Sequence, residues 1–206
     1  MTANFTHYKM VAQKAAQQND LDEAERMWQA ALKEAESYGK DDGRYALAVD
    51  SLAGLYFSKG KYDEALPLFH EALAIRERNL ARDHEDLGTC FNNLAALHFK
   101  MEQYGEAEDF YKKALQIRER KFGKESKKAV EVVYQLGLLF HAQKRYEQAE
   151  NYYKPALDIK NKLYGAGHQE LCSLLRNYAD LLRKTNREPT AVQMEQFARS
   201  IEEKNG

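Results

Sequence analysis

Apolar side chains recur along this chain at the spacing of an α-helix, and the whole pattern repeats every 42 residues. Between Tyr62 and Ile75 they advance by threes and fours, which places them on one broad helix face. The positions that return at this interval are Tyr62, Tyr104 and Tyr146; Ala65, Ala107 and Ala149; Ala72, Ala114 and Ala156; and Ile75, Ile117 and Ile159. A weaker copy precedes them and a degenerate copy follows. A period of this length predicts a repeat protein.

Each repeat divides into two helical halves joined by a short turn, such as SKGKY, in which Gly60 lets the chain reverse. We therefore predict an antiparallel helix pair in every repeat. The first helices are expected near 4–18, 44–59, 86–101, 128–143 and 170–185, and the second helices near 20–38, 61–80, 103–122, 145–164 and 188–203. The repeats span approximately 4–42, 43–83, 84–125, 126–167 and 168–206, the last with a polar C-terminal cap.

Small residues recur where the two helices of a pair must approach each other, among them Ala53, Ala95 and Gly137. One helix pair cannot cover its own apolar face, so each repeat must stack on the next. The sequence therefore predicts an all-α fold. We expect a single, complete right-handed α-solenoid of about five helix-turn-helix repeats over residues 1–206, with one concave face.

The second repeat carries the small and aromatic pattern Ala53, Tyr56, Gly60, Tyr62, Ala65, Phe69 and Ala72. This pattern resembles the tetratricopeptide repeat family, whose usual unit is about 34 residues. The longer unit, with FNNLA at 91–95, ALAIRER at 72–78 and the pair Asp83–His84, is similar to the kinesin light chain subtype. The resemblance covers nearly the whole chain and implies a surface that binds peptides. Coiled-coil heptads are missing from the sequence, so no motor-cargo role is implied.

Composition narrows the classes of function. The 31 basic and 32 acidic side chains give a net charge of -1, which does not favour binding to nucleic acid or anionic lipid. The N-terminal stretch lacks the apolar core of a signal peptide, and no apolar run approaches the ~18 residues of a membrane span. We expect a cytoplasmic protein that binds neither nucleic acid nor membrane.

The sequence contains none of the motifs HExxH, GxSxG, GxGxxG or the phosphate-binding loop. Cys90 and Cys172 lack metal-ligand spacing and are expected to be buried. His84 and His168 occupy the same loop position two repeats apart, which favours a role in capping the following helix, and His98 is expected to pack in the interior. We therefore expect no catalytic residue, no metal, no cofactor and no enzymatic activity.

The resemblance implies that the first helices line a groove for the partner. The outward positions of these helices are Lys9, Gln13, Asp50, Ser51, Gly54, Asn92, Asn93, Lys100, Tyr134, Gln135, Leu138, His141, Arg176, Asn177, Asp180, Arg183 and Lys184. Amides at one recurrent position, Asn93, Gln135 and Asn177, can both donate to and accept from a peptide backbone. Each asparagine could instead bond a neighbouring helix end.

Two further features of this surface remain open. Arg176, Arg183, Lys184 and Arg187 form a basic cluster that either favours an acidic segment of the partner or is a solvated end face. Tyr134 and Leu138 are expected to offer an apolar pocket beside it.

Two functions fit these observations. The first is a protein–protein interaction scaffold that binds a peptide or helix of a partner protein in the concave groove. The alternative is a self-associating structural scaffold, a homo-oligomer such as a dimer formed through the terminal helices. Exposed apolar residues on the last helix would favour the alternative, and the candidates are Val192, Met194, Phe197 and Ile201.

Overall fold

A computed structural model describes residues 4–205, and over this range the chain forms ten α-helices and one short 3-10 helix. The α-helices are α1 (Phe5–Gln17), α2 (Leu21–Glu36), α3 (Gly43–Ser58), α4 (Tyr62–Asn79), α5 (Glu85–Lys100), α6 (Tyr104–Phe122), α7 (Lys127–Ala142), α8 (Tyr146–Tyr164), α9 (Cys172–Lys184) and α10 (Glu188–Asn205). Every predicted helix is present, with ends within about two residues of the prediction. The helix α9 starts late because Gln169–Leu171 form the 3-10 helix.

The chain divides into two compact units, Met1–Phe110 and Tyr111–Gly206. In the first unit, helices α1 to α5 pack in sequence, and residues such as Trp28 and Leu52 form an apolar core from α1 to α4. In the second unit, α7 packs on α8, α8 on α9, and α9 on α10. Each unit is therefore built from the predicted hairpins.

The structure confirms the predicted burial of three side chains and contradicts the predicted exposure of a fourth. Cys90 and Cys172 are free and buried, and His98 is buried with its ring stacked on Phe110, as expected. The prediction that Ile201 is exposed on the last helix is wrong. Its side chain is 1% exposed because it closes the small core that α10 shares with the start of α9.

One polar residue caps a helix start at each 42-residue step, and the last of them caps the 3-10 helix that precedes α9. These residues are Asp42, His84, Ser126 and His168. Each side chain accepts a hydrogen bond from a backbone N–H of the first helical turn: Arg44 (2.8 Å), Asp86 (3.2 Å), Ala129 (3.2 Å) and Glu170 (3.2 Å), respectively. Such bonds satisfy donors that would otherwise have no partner. The predicted capping role of His84 and His168 is confirmed.

The turn inside each hairpin also repeats. Its reversing residue has a positive φ in all five repeats: Asn19 (60°), Gly60 (73°), Glu102 (59°), Lys144 (60°) and Asn186 (60°). Glycine adopts this left-handed conformation without cost, whereas Glu and Lys adopt it with some strain. The sequence identified only the glycine, because the other residues give no comparable signal.

Close approach of the paired helices depends on small residues. Ala53 and Ala95 are fully buried, and Gly137 of α7 lies against Tyr153 of α8. A methyl group on Gly137 would lie 2.5 Å from ring carbons of Tyr153, whose side chain is completely buried and cannot easily move. The predicted role of the small residues is confirmed here.

In each unit, one glutamate on a second helix accepts hydrogen bonds from side chains of the following hairpin. In the first unit, Glu25 accepts hydrogen bonds from the Tyr56 hydroxyl (3.2 Å) and from Lys59 Nζ (2.6 Å). In the second unit, the carboxylate of Glu150 accepts from the Tyr178 hydroxyl (2.7 Å) and from both terminal nitrogens of Arg187 (2.7 and 2.9 Å). The bonds from Arg187, with those from Lys154 and Tyr178, lower the pKa of Glu150 to about 2.

We expect Gly137→Ala to destabilise the protein by about 1–3 kcal/mol, because the added methyl overlaps the ring of Tyr153. Gly54→Ala is the matched control, since Gly54 also lies in a first helix but has open space around its Cα. It should stabilise by roughly 0.5–1 kcal/mol through lower backbone entropy in the unfolded chain. Urea unfolding followed by circular dichroism measures both. Equal effects of the two substitutions would contradict the packing argument.

We expect Glu150→Gln to lower the free energy of unfolding at pH 7 by about 1–3 kcal/mol. The folded pKa of Glu150 lies below its ordinary value, so its contribution is complete above pH ~4.5 and is lost as the pH falls towards 2. The difference between variant and wild type should therefore shrink over that range. Glu147→Gln, an exposed glutamate on the same helix, is the control and should change little. A constant difference from pH 7 to pH 2.5 would refute this assignment.

Candidate functional site

The predicted site residues of the first unit lie on three first helices. Lys9 and Gln13 are on α1, Ser51 is on α3, and Asn92, Asn93 and Lys100 are on α5. Two of these amides differ in their surroundings. Asn93 is half-buried and its side chain makes no hydrogen bond within residues 4–205, so its side-chain amide is available to a ligand. The Oδ1 atom of Asn92 is buried, and it too has no hydrogen-bond partner in the described part of the chain.

Asp50 is the equivalent of Asn92 one repeat earlier, and it takes part in a buried polar contact. Its Oδ2 accepts a hydrogen bond from Arg76 (3.3 Å), and a second guanidinium nitrogen of Arg76 donates to Cys90 Sγ (2.8 Å). Burial raises the pKa of the Cys90 thiol to about 11, so the group stays protonated at neutral pH. This thiol is structural and is not a nucleophile.

A cavity of 460 Å³ lies beside Arg76 in the first unit. Its apolar lining is Ala46, Leu47, Ile75 and Leu80, and its polar lining is Asp41, Asn79, Arg76 and Asp86. None of the predicted site residues lines this cavity. Sequence reasoning missed it because it considered only the first helices, whereas Ile75, Arg76 and Leu80 come from the end of a second helix.

The predicted residues of the second unit lie closer together. Asn177 Nδ2 donates a hydrogen bond to the hydroxyl of Tyr134 (2.5 Å), and Gln135 Nε2 donates to Glu131 Oε1 (3.3 Å). Tyr134 is only 7% exposed, because its ring packs near Tyr153. The amide of Asn177 therefore bonds a side chain in the middle of a neighbouring first helix and not a helix end, and its role in binding stays a prediction.

A cavity of 480 Å³ adjoins Tyr134 in the second unit. Its lining residues are Glu131, Tyr134, Lys160, Gln169, Glu170, Cys172, Ser173, Arg176 and Glu202. Two of them, Tyr134 and Arg176, were predicted as site residues, whereas Leu138 does not line the cavity. The pocket around Tyr134 is therefore polar rather than the apolar pocket expected from Tyr134 and Leu138.

Lys160 lies in this cavity with its side chain almost completely buried. Its Nζ donates to the backbone carbonyl of Glu170 (3.3 Å), and carboxylate oxygens of Glu131 and Glu170 both lie 3.7 Å away. The same nitrogen lies 5.3 Å from the ring centre of Tyr134. A buried ammonium group needs such partners, because isolated burial of a charge is costly.

The repeat register relates the two cavities. Lys160 and Glu170 of the second unit follow Arg76 and Asp86 of the first by 84 residues, which is two repeats. Arg118 occupies the intervening position and donates to the carbonyl of Lys128 (3.0 Å), as Lys160 does to that of Glu170. A cation at one second-helix position thus recurs in three repeats, and alignment of the repeats could have identified it from sequence.

The basic cluster near the C-terminus is largely neutralised within the chain. Arg176 pairs with Glu202, Arg183 pairs with Glu188 and Glu195, and Arg187 pairs with Glu150. Lys184 is exposed, and no ion pair to it occurs within residues 4–205. Only one of the four cations is therefore available to a partner without breaking a pair. The sequence could not show this, because the carboxylates lie up to 37 residues away along the chain.

His141 on α7 contacts side chains on two neighbouring helices of the second unit, Tyr153 on α8 and Asp180 on α9. Its Nδ1 lies 3.1 Å from the Tyr153 hydroxyl, and its Nε2 lies 3.1 Å from a carboxylate oxygen of Asp180. Burial lowers the pKa of His141, while Asp180 acts in the opposite direction and Lys184 in the same direction as burial. In the neutral ring, the tyrosine hydroxyl can donate to Nδ1 while Nε2–H donates to the carboxylate.

The described residues contain neither a candidate metal site nor a helix that could span a membrane. No group of three or more His, Cys, Asp or Glu side chains within residues 4–205 is placed to bind a metal ion. Every helix over the same range is too short or too polar to cross a lipid bilayer.

The family model of the tetratricopeptide repeat matches residues 44–120 and 129–203, which together exceed half of the chain. The chain belongs to the tetratricopeptide repeat family. This confirms the resemblance found in the sequence and fixes the fold class as an α-solenoid of helix-turn-helix repeats. Tetratricopeptide repeat proteins are generally non-enzymatic, and their fold is that of a protein–protein interaction scaffold.

Solved structures support the same fold. BtubC (BKLC) from P. vanneervenii is 24% identical and superposes with a TM-score of 0.86 over 98% of this chain and 81% of that one. A putative kinesin light chain from Podosopora anserina is 17% identical, with a TM-score of 0.82 over 100% and 99% of the two chains. Aspartyl phosphate phosphatase F from Bacillus subtilis is 17% identical, with a TM-score of 0.82 over 98% and 51%. No curated protein sequence matches this tetratricopeptide repeat chain.

We expect the environment of His141 to be readable by its titration. Asp180→Asn should lower the pKa of His141 further, because the lost carboxylate favours the charged ring, and Lys184→Gln should raise it. Proton NMR of the His141 ring measures the midpoint in each variant. Shifts in the same direction for both substitutions would contradict the action assigned to one of the two charges.

Proposed function

We propose that this tetratricopeptide repeat chain is a scaffold that binds an extended peptide segment of a protein partner along its first helices. The observation that carries the proposal is the cavity in the second unit. Two predicted site residues, Tyr134 and Arg176, line it, and a third, Asn177, bonds the hydroxyl of Tyr134. The cavity is mostly polar, with Tyr134 as its one aromatic side chain, so it suits the polar groups of a peptide.

The polar side chains suit a peptide backbone. The amide of Asn93 in the first unit has no hydrogen-bond partner within residues 4–205, and Asn177 uses only one of its donors. An amide can donate and accept at once, so it can pair with the N–H and C=O groups of an extended chain. In the second unit, contacts with Asn177 would supply affinity with little sequence preference, and the cavity beside Tyr134 would supply selectivity for one side chain.

If the partner carries an acidic segment, only one cation of the basic cluster is free to bind it. Arg176, Arg183 and Arg187 already pair with carboxylates, so a partner carboxylate would have to displace an existing ion pair. Exposed ion pairs contribute little, and exchanging one for another gains less. Lys184 remains as the cation of this cluster that an acidic segment could reach directly.

The proposal predicts which asparagines matter for binding. Peptides selected from a displayed random library against the full chain should lose roughly 10-fold or more in affinity for Asn93→Ala or Asn177→Ala, since each loss leaves polar groups unpaired. Asn151→Ala is the matched control, because Asn151 is an exposed amide on the second helix α8. Fluorescence anisotropy with labelled peptides measures the affinities.

Two results would count against the peptide-binding proposal. One is a library selection that yields no peptide above background with the folded chain. The other is a set of peptides whose affinities fall equally for the asparagine variants and for Asn151→Ala. Circular dichroism of each variant establishes that the helices are intact.

Self-association through the last helix is the second candidate. Val192 and Phe197 of α10 are 36% and 41% exposed, which is high for large apolar side chains. Ile201 and Met194, which were expected to extend this patch, pack into the core of the second unit. Two separated side chains make a small patch, so this candidate has less support than peptide binding.

A further inference from the structure

The near-zero net charge conceals a strong division of charge between the two units. Residues 1–110 contain 12 Lys and Arg against 20 Asp and Glu, a net charge of -8. Residues 111–206 contain 19 Lys and Arg against 12 Asp and Glu, a net charge of +7. The boundary is the one that separates the two compact units. A chain with this division presents fields of opposite sign at its two parts.

Much of the positive charge of the second unit is concentrated where α6 ends and α7 begins. Residues 120–128, which we term the basic segment, contain Arg120, Lys121, Lys124, Lys127 and Lys128 and only one acidic residue, Glu125. The net charge of the basic segment is +4, whereas the equivalent stretches 36–44, 78–86 and 162–170 have net charges of -1, -1 and 0. The repeat architecture alone therefore does not require a basic segment here.

The side chains of the basic segment are open to solvent. All five of its Lys and Arg residues are exposed. Arg120, Lys121 and Lys124 make no ion pair or hydrogen bond through their side chains within residues 4–205. Lys127 Nζ lies 4.7 Å from the ring centre of Tyr164 and has no carboxylate partner in the described range. The charges of Arg120, Lys121 and Lys124 are thus available to an external group.

Unpaired acidic residues in the first unit provide charges of the opposite sign. Five exposed carboxylates lie at the starts of α4 and α6 and in the turn before α6: Asp63, Glu64, Glu102, Glu106 and Asp109. We term these the acidic positions. None of them forms an ion pair within residues 4–205. Acidic residues favour helix starts in general. The first turn of α4 has two acidic residues, and the first turns of α6 and α8 have one each, so helix starts supply only part of the acidic charge of the first unit.

We propose that copies of this chain associate head to tail, with the basic segment of one copy against the acidic positions of another. The two surfaces are opposite in sign and similar in charge, and both occur on every chain. Electrostatic complementarity of this kind orients partners and speeds their encounter. Nucleic acid or an anionic membrane is disfavoured as the occupant, because the net charge of -8 on the first unit of the same chain repels either one.

The proposed contact has two physical consequences. It joins different surfaces on the two copies, so a pair keeps one free basic surface on one copy and one free acidic surface on the other, and the assembly grows instead of closing as a two-fold dimer. Its surfaces are exposed, so salt should weaken it strongly, as the screening length falls from about 10 Å at 0.1 M to about 3 Å at 1 M. The contact uses none of the residues of the proposed peptide site.

The test uses two charge-reversal variants of the full chain. The first, Lys121→Glu with Lys124→Glu, removes the basic surface and leaves the acidic positions intact. The second, Glu64→Lys with Glu106→Lys, does the opposite. Arg199→Glu with Lys204→Glu is the matched control, because it makes the same change in charge on α10, outside the basic segment. Sedimentation velocity at low and high salt (about 0.02 M and about 0.5 M) measures the mass of each species.

The proposal expects a specific set of masses. Wild type and the α10 control should form species larger than a dimer at low salt and return to monomer at high salt. Each charge-reversal variant alone should stay monomeric. An equimolar mixture of the two should stop at twice the monomer mass, because it contains one functional pair of surfaces. Asn93→Ala with Asn177→Ala should assemble like wild type, so failure of the peptide site and failure of this contact are distinguishable.

Three results would overturn the proposal. The first is a wild-type chain that remains monomeric at low salt. The second is assembly of either charge-reversal variant alone to the wild-type mass, which places the contact elsewhere. The third is binding of single-stranded RNA or phosphatidylserine vesicles that depends on Lys121 and Lys124 while the chain stays monomeric, which assigns the basic segment to a polyanion. If a reversed variant fails to fold, the neutral changes Lys121→Gln and Lys124→Gln replace it.

Discussion

The close approach of the two helices in each hairpin is the constraint on which the rest of this structure depends. At Gly137 the backbone of α7 comes so near the ring of Tyr153 that not even a methyl group fits. That spacing sets where the first helices lie, and so where Tyr134, Asn177 and the cavity beside them are found. The proposed binding surface therefore depends on packing inside the hairpins, and small residues there matter as much as the polar residues that a ligand would touch.

Most of the architecture could be read from the sequence, because a 42-residue repeat presents every local signal several times. A single Ala53 says little, but Ala53, Ala95 and Gly137 at one register identify a contact. The same logic gave His84 and His168 their capping role. What the register could not give was the choice of ion-pair partner. Arg183 and Arg187 looked available, and only the fold brings Glu195 and Glu150 to them.

Two features that the sequence analysis missed are visible in the sequence itself. The recurring cation at Arg76, Arg118 and Lys160 appears as soon as the second helices are aligned and examined for polar rather than apolar residues. The division of charge appears as soon as charges are summed by segment. The net charge of -1 for the whole chain is the sum of two large opposite values. It therefore does not exclude charged partners for either unit taken by itself.

The capping residues also define where one repeat stops and the next begins. The four residues occupy the same position in successive repeats: Asp42, His84, Ser126 and His168. Each accepts a hydrogen bond from a backbone N–H in the first turn of the helix that follows it. A gene that duplicates or deletes the stretch between two caps would join one cap position to an equivalent one and leave every helix with its proper start. Repeat number in such a chain can thus change in whole units, which gives evolution a way to lengthen a binding surface without redesigning it.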